Sequence, residues 1–313
     1  MRKCLTLFLF AILLLPAPVQ AGTPVMIPNQ GILGGYMIDL TNVSDSFGEF
    51  NAGGDMAGVQ VVEVYTATWC QNCVYSEHAL MDALENESAT VLVNHRFIDE
   101  SQDPFGTQAG DDRWIDLYGE TSAQVASGLE RAAPSVVFDG HRFVAGSAPS
   151  GESLESDYTE MFADKHEYRS WDDGIKSEFR WTGDNSSGTL EWDFDIYPVE
   201  PEWMSWRHRL MVVEHSAYFP EGGNGLEHYD DIVRAVIELN VTGNNGTALG
   251  GQQEITLPAA YDGDDLSLVV VHEWKQTPPI IEPEPEPDAG LLPGFLAPLG
   301  LIALGAAALT RRD

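Results

Sequence analysis

Residues 59–78 read VQVVEVYTATWCQNCVYSEH, and the fold is decided by how this stretch is read. Val59 to Thr66 is an apolar-rich run of strand-forming residues. Cys70 and Cys73 follow with two residues between them. In the next stretch Cys73, Leu80 and Leu84 share one helical stripe, with Val74 and Met81 beside it. The spacing predicts a strand, a turn carrying the first cysteine, and a helix from about Cys73 to Glu85. Cys70 then stands at the helix start, where free N–H groups and the helix dipole favour its thiolate, while Cys73 points inward. A redox pair needs this arrangement, because the outer thiol reacts and the shielded one resolves the mixed disulfide. The same two residues also admit a permanent disulfide clasp. A metal site is the third reading, with His78 as the nearest further ligand. Zinc takes four ligands and no second C-x-x-C occurs, so no metal is assigned and His78 reads as a solvated helix residue.

Working outward, Thr90 to Phe97 reads as a strand and about Asp111 to Arg131 as a helical stretch. SVVFDGHRFV (135–144) reads as a hairpin turning at Asp139-Gly140, and about Glu152 to His166 as a helix. The order is βαβαββα over residues 58–168. Beyond Trp171 the texture changes to alternation: in TLEWDFDIY (189–197) Leu190, Trp192, Phe194 and Ile196 share one face. RLMVVEH (209–215), VRAVIELNV (233–241) and LSLVVVHEW (266–274) read as further strands. The expected fold is an α/β region followed by an all-β sandwich at 172–276, its core filled by Trp181, Trp192, Trp203, Trp206 and Trp274, with an exposed rim as the alternative for Trp203 and Trp206. Residues 22–57, rich in Gly, Asn, Asp and Ser, read as an irregular lead-in with one short strand near Gly35 to Leu40. His95 reads as a hydrogen-bonded interior histidine. His208, His215, His228 and His272 are scattered without ligand spacing, and Asp262, Asp264 and Asp265 read as a turn.

The ends of the 313-residue chain carry processing signals. Arg2 and Lys3, the apolar run Leu5 to Leu15, and the small residues Val19 and Ala21 mark residues 1–21 as a signal peptide, which takes Cys4 with it. At the far end a Pro/Glu-rich spacer (277–289) leads into residues 290–313. Ala289 to Thr310 carries no charge and is followed by Arg311 and Arg312, which predicts a transmembrane helix. The expected location is therefore extracytoplasmic, at the cell surface, with the cell membrane as a partner through the C-terminal segment. The formal charge of −33 becomes −35 without the leader, 14 basic residues facing 49 acidic ones. Such a surface repels nucleic acid, which is excluded as a partner. Asn42, Asn86, Asn185, Asn240 and Asn245 open Asn-x-Ser/Thr sequons and are candidate glycosylation sites.

Trp69-Cys70-Gln71-Asn72-Cys73 between strand and helix, with Ala133-Pro134-Ser135 before SVVFDG, resembles the thioredoxin-like domain. The resemblance implies that Pro134 is a cis-proline facing the cysteine pair. It also implies a carboxylate six residues before the first cysteine, where this chain has Val64; Glu63 beside it points to the other face of the strand. YTATWCQNC, HRFIDESQDPF, APSVVFDG, LMVVEHSAYF and LEHYDDIVRA together resemble the 28-kilodalton outer membrane protein family, a thioredoxin-like domain followed by a β-sandwich. The C-terminal LLPGFLAPLG, with Pro293, Gly294 and Phe295, resembles the archaeal PGF sorting signal, which implies replacement of the tail by a lipid. The expected function is that of a membrane-tethered thiol-disulfide oxidoreductase acting on exported protein thiols or disulfides. Cys70 and Cys73 would be catalytic, Trp69 and Pro134 supporting, and no cofactor is required. The alternative is a non-catalytic surface binding or adhesive protein in which Cys70–Cys73 is a structural disulfide.

Overall fold

The structure is a computed structural model and describes residues 22–41, 43, 48–55, 59–85, 87–163, 175–195, 204–244 and 248–276. In chain order the elements are β1 (Val25–Met26), β2 (Gln30–Asp39), β3 (Gly48–Asp55), β4 (Gln60–Thr66), α1 (Gln71–Leu84) and β5 (Ala89–His95). Next come α2 (Gln108–Trp114), a π-helical turn (Ile115–Gly119), α3 (Glu120–Val125), β6 (Ser135–Phe138), β7 (Arg142–Ala145) and α4 (Leu154–Ala163). The remainder is β8 (Lys176–Gly183), β9 (Ser187–Asp195), β10 (Met204–Tyr218), β11 (His228–Leu239), β12 (Gly243–Asn244), β13 (Ala248–Thr256) and β14 (Leu266–Gln276). From β4 to α4 this is the expected βαβαββα order. Asp139 and Gly140 both take positive φ, 48° and 71°, as a two-residue hairpin turn requires.

Nine strands form one sheet in the order β1-β7-β6-β4-β5-β11-β10-β14-β2, and five form a second in the order β12-β13-β9-β8-β3. The α/β region and the β-rich region therefore share a sheet, joined where β11 runs parallel to β5 at Ile232 and Val93. One face of the large sheet carries a single core from both regions, with Val61, Tyr65 and Val137 beside Met211, Val233 and Val269, covered by Trp114 and Tyr118. The opposite face is covered in two ways. Helices α1 and α4 pack over Val62, Val64 and Val136. The five-stranded sheet packs Trp181, Leu190, Trp192 and Phe194 against Leu210, Val212, Leu268 and Val270, which makes the sandwich. Covered on both sides, β4 is buried at every position, which explains why its sequence reads as a run rather than an alternation.

Two expectations are corrected. The lead-in is not irregular: β2 pairs with β14, and β3 pairs with β8 along its whole length. Among the described residues no helix is long and apolar enough to cross a membrane. Even the 14-residue α1 rises only about 21 Å against the ~30 Å of a hydrocarbon layer, and its apolar stripe is buried on the sheet. The fold class thus stands without the expected C-terminal membrane helix, and the membrane is withdrawn as a partner. Residues 1–21, 277–289 and 290–313, with Pro293, Gly294 and Phe295, lie outside the described residues, as do Asn42, Asn86, Asn245 and Trp203. The archaeal sorting signal and the use of the sequons find no support among the described residues. Asn185 lies in the β8–β9 turn, and the Asn240 side chain is held by Gln253 Oε1 at 3.2 Å.

A buried charge cluster crosses the seam between the regions. Arg113 on α2 reaches Glu63 of β4 through its terminal nitrogens and Glu273 of β14 through Nε at 2.5 Å. Tyr118 also donates to Glu63, and Arg209 Nε lies 2.9 Å from Glu273. Burial alone would raise the Glu273 carboxyl, but Arg113, Arg209 and Arg207 hold it below the usual range. Truncating Arg113 leaves two buried carboxylates without their main partner. Arg113→Met is expected to cost about 3–5 kcal/mol in urea denaturation.

His208 and His272 face each other across β10 and β14, Nδ1 to Nδ1 at 2.8 Å, and His272 Nε2 meets Ser177 Oγ at 2.7 Å. Burial pulls His208 down to about 4, slightly opposed by Glu273. It also holds His272 well below 6.5, helped by its neighbour His208. Below pH 6.5 the unfolded chain takes up protons that the folded chain refuses, so stability falls as the pH drops from 6.5 towards 4. Urea midpoints measured across that window should show the decline. His272→Gln, which does not titrate, should flatten it.

Candidate functional site

The chain leaves β4 at Thr66 and enters α1 through the turn Ala67 to Cys70. The Cys70 N–H donates to Ala67 O at 2.9 Å, and Cys70 is the N-cap of α1, its sulfur accepting from the Cys73 N–H at 3.2 Å. The two cysteines are joined as a disulfide. Cys73 is fully buried, and Ala67 and Ala133 pack against the pair. The Ala133–Pro134 peptide is cis, and Pro134 is buried immediately before Ser135, which pairs with Tyr65 of β4. This pairing brings Pro134 beside the cysteine turn. Trp69 stands on the rim, 38% exposed, its Nε1 donating to Glu100 at 2.8 Å and its ring facing the Arg96 guanidinium at 5.8 Å. The residues singled out from the sequence (Trp69, Cys70, Cys73 and Pro134) thus converge. One detail differs: the outer sulfur was expected to be open, whereas Cys70 is only 6% exposed.

The β-rich region helps to hold this turn. The segment between β10 and β11 reaches the turn just before the cysteines, where the Asn224 N–H donates to Thr68 O at 3.1 Å. The Tyr229 hydroxyl lies 3.2 Å from the same carbonyl and 2.8 Å from Asn224 Oδ1, its one proton serving either acceptor. Gly222 permits this approach, since a Cβ there would fall 2.0 Å from the Tyr229 oxygen. On the other side Asp103 accepts from the Thr68 N–H at 2.8 Å, from the Phe105 N–H at 3.0 Å, and pairs with His95 Nδ1 at 2.8 Å. Thr68 is therefore held at both its N–H and its carbonyl. This clamp was not visible in the sequence, because its parts lie up to 161 positions apart.

Alternation along β4 sends Glu63 to the Arg113 layer and Val64 to the α1 side, as expected. A carboxylate is nevertheless present on the α1 side. Glu77, four residues after Cys73 on the same helix, accepts a hydrogen bond from Thr66 Oγ1 at 2.5 Å. It lines a cavity of about 170 Å³ with Val64, Leu80, His95, Tyr229 and Asp230. Burial pushes its carboxyl above the ordinary value, against the pull of Thr66, His95 and His78, with Asp230 adding to the rise. The sequence signal for Glu77 was its four-residue spacing from Cys73. His78 is exposed on α1, and His208 and His272 lie in the sandwich core, away from the pair.

No protein-family model matches the chain, and no curated protein matches it. Among solved structures it is similar to HBP35 of Porphyromonas gingivalis, at 13% identity over 68% of this chain and 69% of that one, with a TM-score of 0.47. It is also similar to a protein from Agrobacterium tumefaciens, at 13% identity over 68% of this chain and 94% of that one, with a TM-score of 0.42. The strand order shows an α/β region, carrying the cysteine turn, joined to a β-sandwich through one shared sheet.

Asp103 is the most connected member of the clamp. Asp103→Ala leaves two backbone N–H groups and the His95 ring without their acceptor, and each buried orphan costs about 1–3 kcal/mol. The denaturation midpoint should drop accordingly, and the disulfide of the variant should be reduced faster by dithiothreitol than that of the native protein.

Proposed function

We propose that the chain is a thiol-disulfide oxidoreductase working on protein thiols or disulfides outside the cytoplasm through Cys70 and Cys73. The observation that carries the reading is a C-x-x-C disulfide whose first sulfur caps a helix while the second is sealed beneath it. A substrate thiolate attacks Cys70 Sγ, the Cys70–Cys73 bond breaks, and Cys73 leaves as a thiolate that takes up a proton. A second substrate thiolate then displaces Cys70, so the substrate gains a disulfide and the pair is left as two thiols. Run backwards, the same steps reduce a substrate disulfide. The helix N-terminus favours the Cys70 thiolate in both directions. Trp69 and Pro134 border the approach to Cys70 and are its supporting residues. The extracytoplasmic assignment rests on the leader read at residues 1–21 and on the oxidised pair, which persists in oxidising compartments.

Equilibration with dithiothreitol buffers tests the proposal. A cycling pair should titrate as a two-electron couple between about −120 and −270 mV, whereas a potential below about −300 mV identifies a permanent clasp and overturns the reading. Alkylation of the reduced protein should label Cys70 before Cys73. Cys70→Ser should abolish turnover of a model disulfide, and Cys73→Ser should accumulate a mixed disulfide on Cys70.

A further inference from the structure

Resolution of a mixed disulfide on Cys70 demands that Cys73 lose its proton, and the Cys73 side chain has no contact with solvent. A buried thiol in apolar surroundings is a poorer acid than the ordinary value of about 8.5, so an unaided Cys73 is almost entirely protonated near neutrality. Its immediate neighbours Ala67 and Ala133 cannot accept a proton. One helical turn further on stands Glu77. Side chains four apart on a helix have Cβ atoms about 5–6 Å apart. Its carboxylate is anchored by Thr66, the last residue of β4, so it lies between the strand end that carries the cysteine turn and the helix that carries Cys73.

We propose that Glu77 exchanges the proton that Cys73 loses and regains in each redox cycle, directly or over one water, and passes it to solvent through the cavity beside α1. This rests on the oxidoreductase reading above. In the resolving direction the Cys73 S–H bond breaks and its proton goes to Glu77. The Cys73 thiolate attacks Cys70 Sγ, the Cys70–Cys73 bond forms, and the substrate sulfur leaves as a thiolate with the electron pair of the broken bond. In the opposite direction a substrate thiolate attacks Cys70, Cys73 departs as a thiolate, and protonated Glu77 returns the proton. The first direction needs the carboxylate and the second the acid, so a carboxyl raised above its ordinary range by burial serves both nearer to neutrality. Facing Glu77 are the Thr66 hydroxyl, the His95 and His78 rings and the Asp230 carboxylate. Asp231, His228 and Tyr229 line the same cavity, and the exposed His78, His228 and Asp230 lie where the proton would leave.

The test uses the reduced full chain and the aromatic disulfide dithiobis-nitrobenzoate in stopped flow. Attack by Cys70 releases one thionitrobenzoate, and closure by Cys73 releases the second. Glu77→Gln is expected to leave the first release unchanged, to slow the second about 10²-fold near neutrality, and to remove the acid limb of its pH profile. Glu77→Asp should recover part of the rate. Thr66→Val removes the donor that holds the carboxyl down, and should move the limb to higher pH. A second release in Glu77→Gln within about twofold of the native rate at every pH overturns the proposal. Should Glu77→Gln fail to fold, an unmoved limb in both Glu77→Asp and Thr66→Val overturns it instead. Native protein that never releases the second equivalent defeats the oxidoreductase reading and this proposal with it. Native protein that releases both, with a profile Glu77→Gln shares, defeats the role of Glu77 alone.

Discussion

The guanidinium of Arg113, shared between Glu63 on β4 and Glu273 on β14, is the interaction on which the rest of the architecture depends. Taking three charges out of water is costly, and the cost is offset only by close geometry and by further donors on the carboxylates. Tyr118 and Arg209 are such donors, and the π-helical turn carries Tyr118 one turn beyond Arg113 on the same helical stretch. Because the two carboxylates come from opposite regions, the cluster is satisfied only when the α/β strands and the sandwich strands lie in one sheet. A single apolar core surrounds it, running from Val137 to Val269.

That common sheet also frames the cysteine turn. With β11 alongside β5, the segment entering β11 lies over the carbonyl of Thr68, two residues before Cys70. The β-rich region is thus part of the site's frame rather than a separate appendage. Trp69 stays on the rim at 38% exposure, while Cys70 beside it is 6% exposed.

The acidic residues show how far environment overrides residue type. Most of the chain's 49 carboxylates follow from a strongly acidic composition and serve its surface. Three of them, Glu273 buried and Glu77 and Asp231 half-buried, behave differently. Glu273 is held down by three arginines, whereas Glu77 and Asp231 are pushed up by burial, Asp231 to about 6 against the pull of His215. Glu77 and Asp231 line one cavity beside α1.

Local chemistry made part of this legible. The apolar run at β4, the cysteine at a helix start, the helical stripe of Leu80 and Leu84, and the Asp139-Gly140 turn each depend on a few neighbouring residues, and each appears in the structure where the sequence placed it. The lead-in was not legible. Gly34 and Gly35 break the alternation of β2, and Gly34, at φ 115°, sits where the register against β14 shifts, a strand more than 200 positions away. The opposition of His208 and His272, the bridge of Arg113 to Glu63 and Glu273, and the hold of the segment before β11 on the Thr68 carbonyl depend likewise on strand register across the chain. By itself, then, the sequence determined the order of elements from β4 to α4, the pairing chemistry available to Cys70 and Cys73, and the acidity of the chain, because periodicity, capping and charge are local. Only the tertiary structure decided that two regions share one sheet, which carboxylates are raised or lowered, and how the turn before the cysteines is clamped, because burial and pairing are properties of residues brought together from distant parts of the chain.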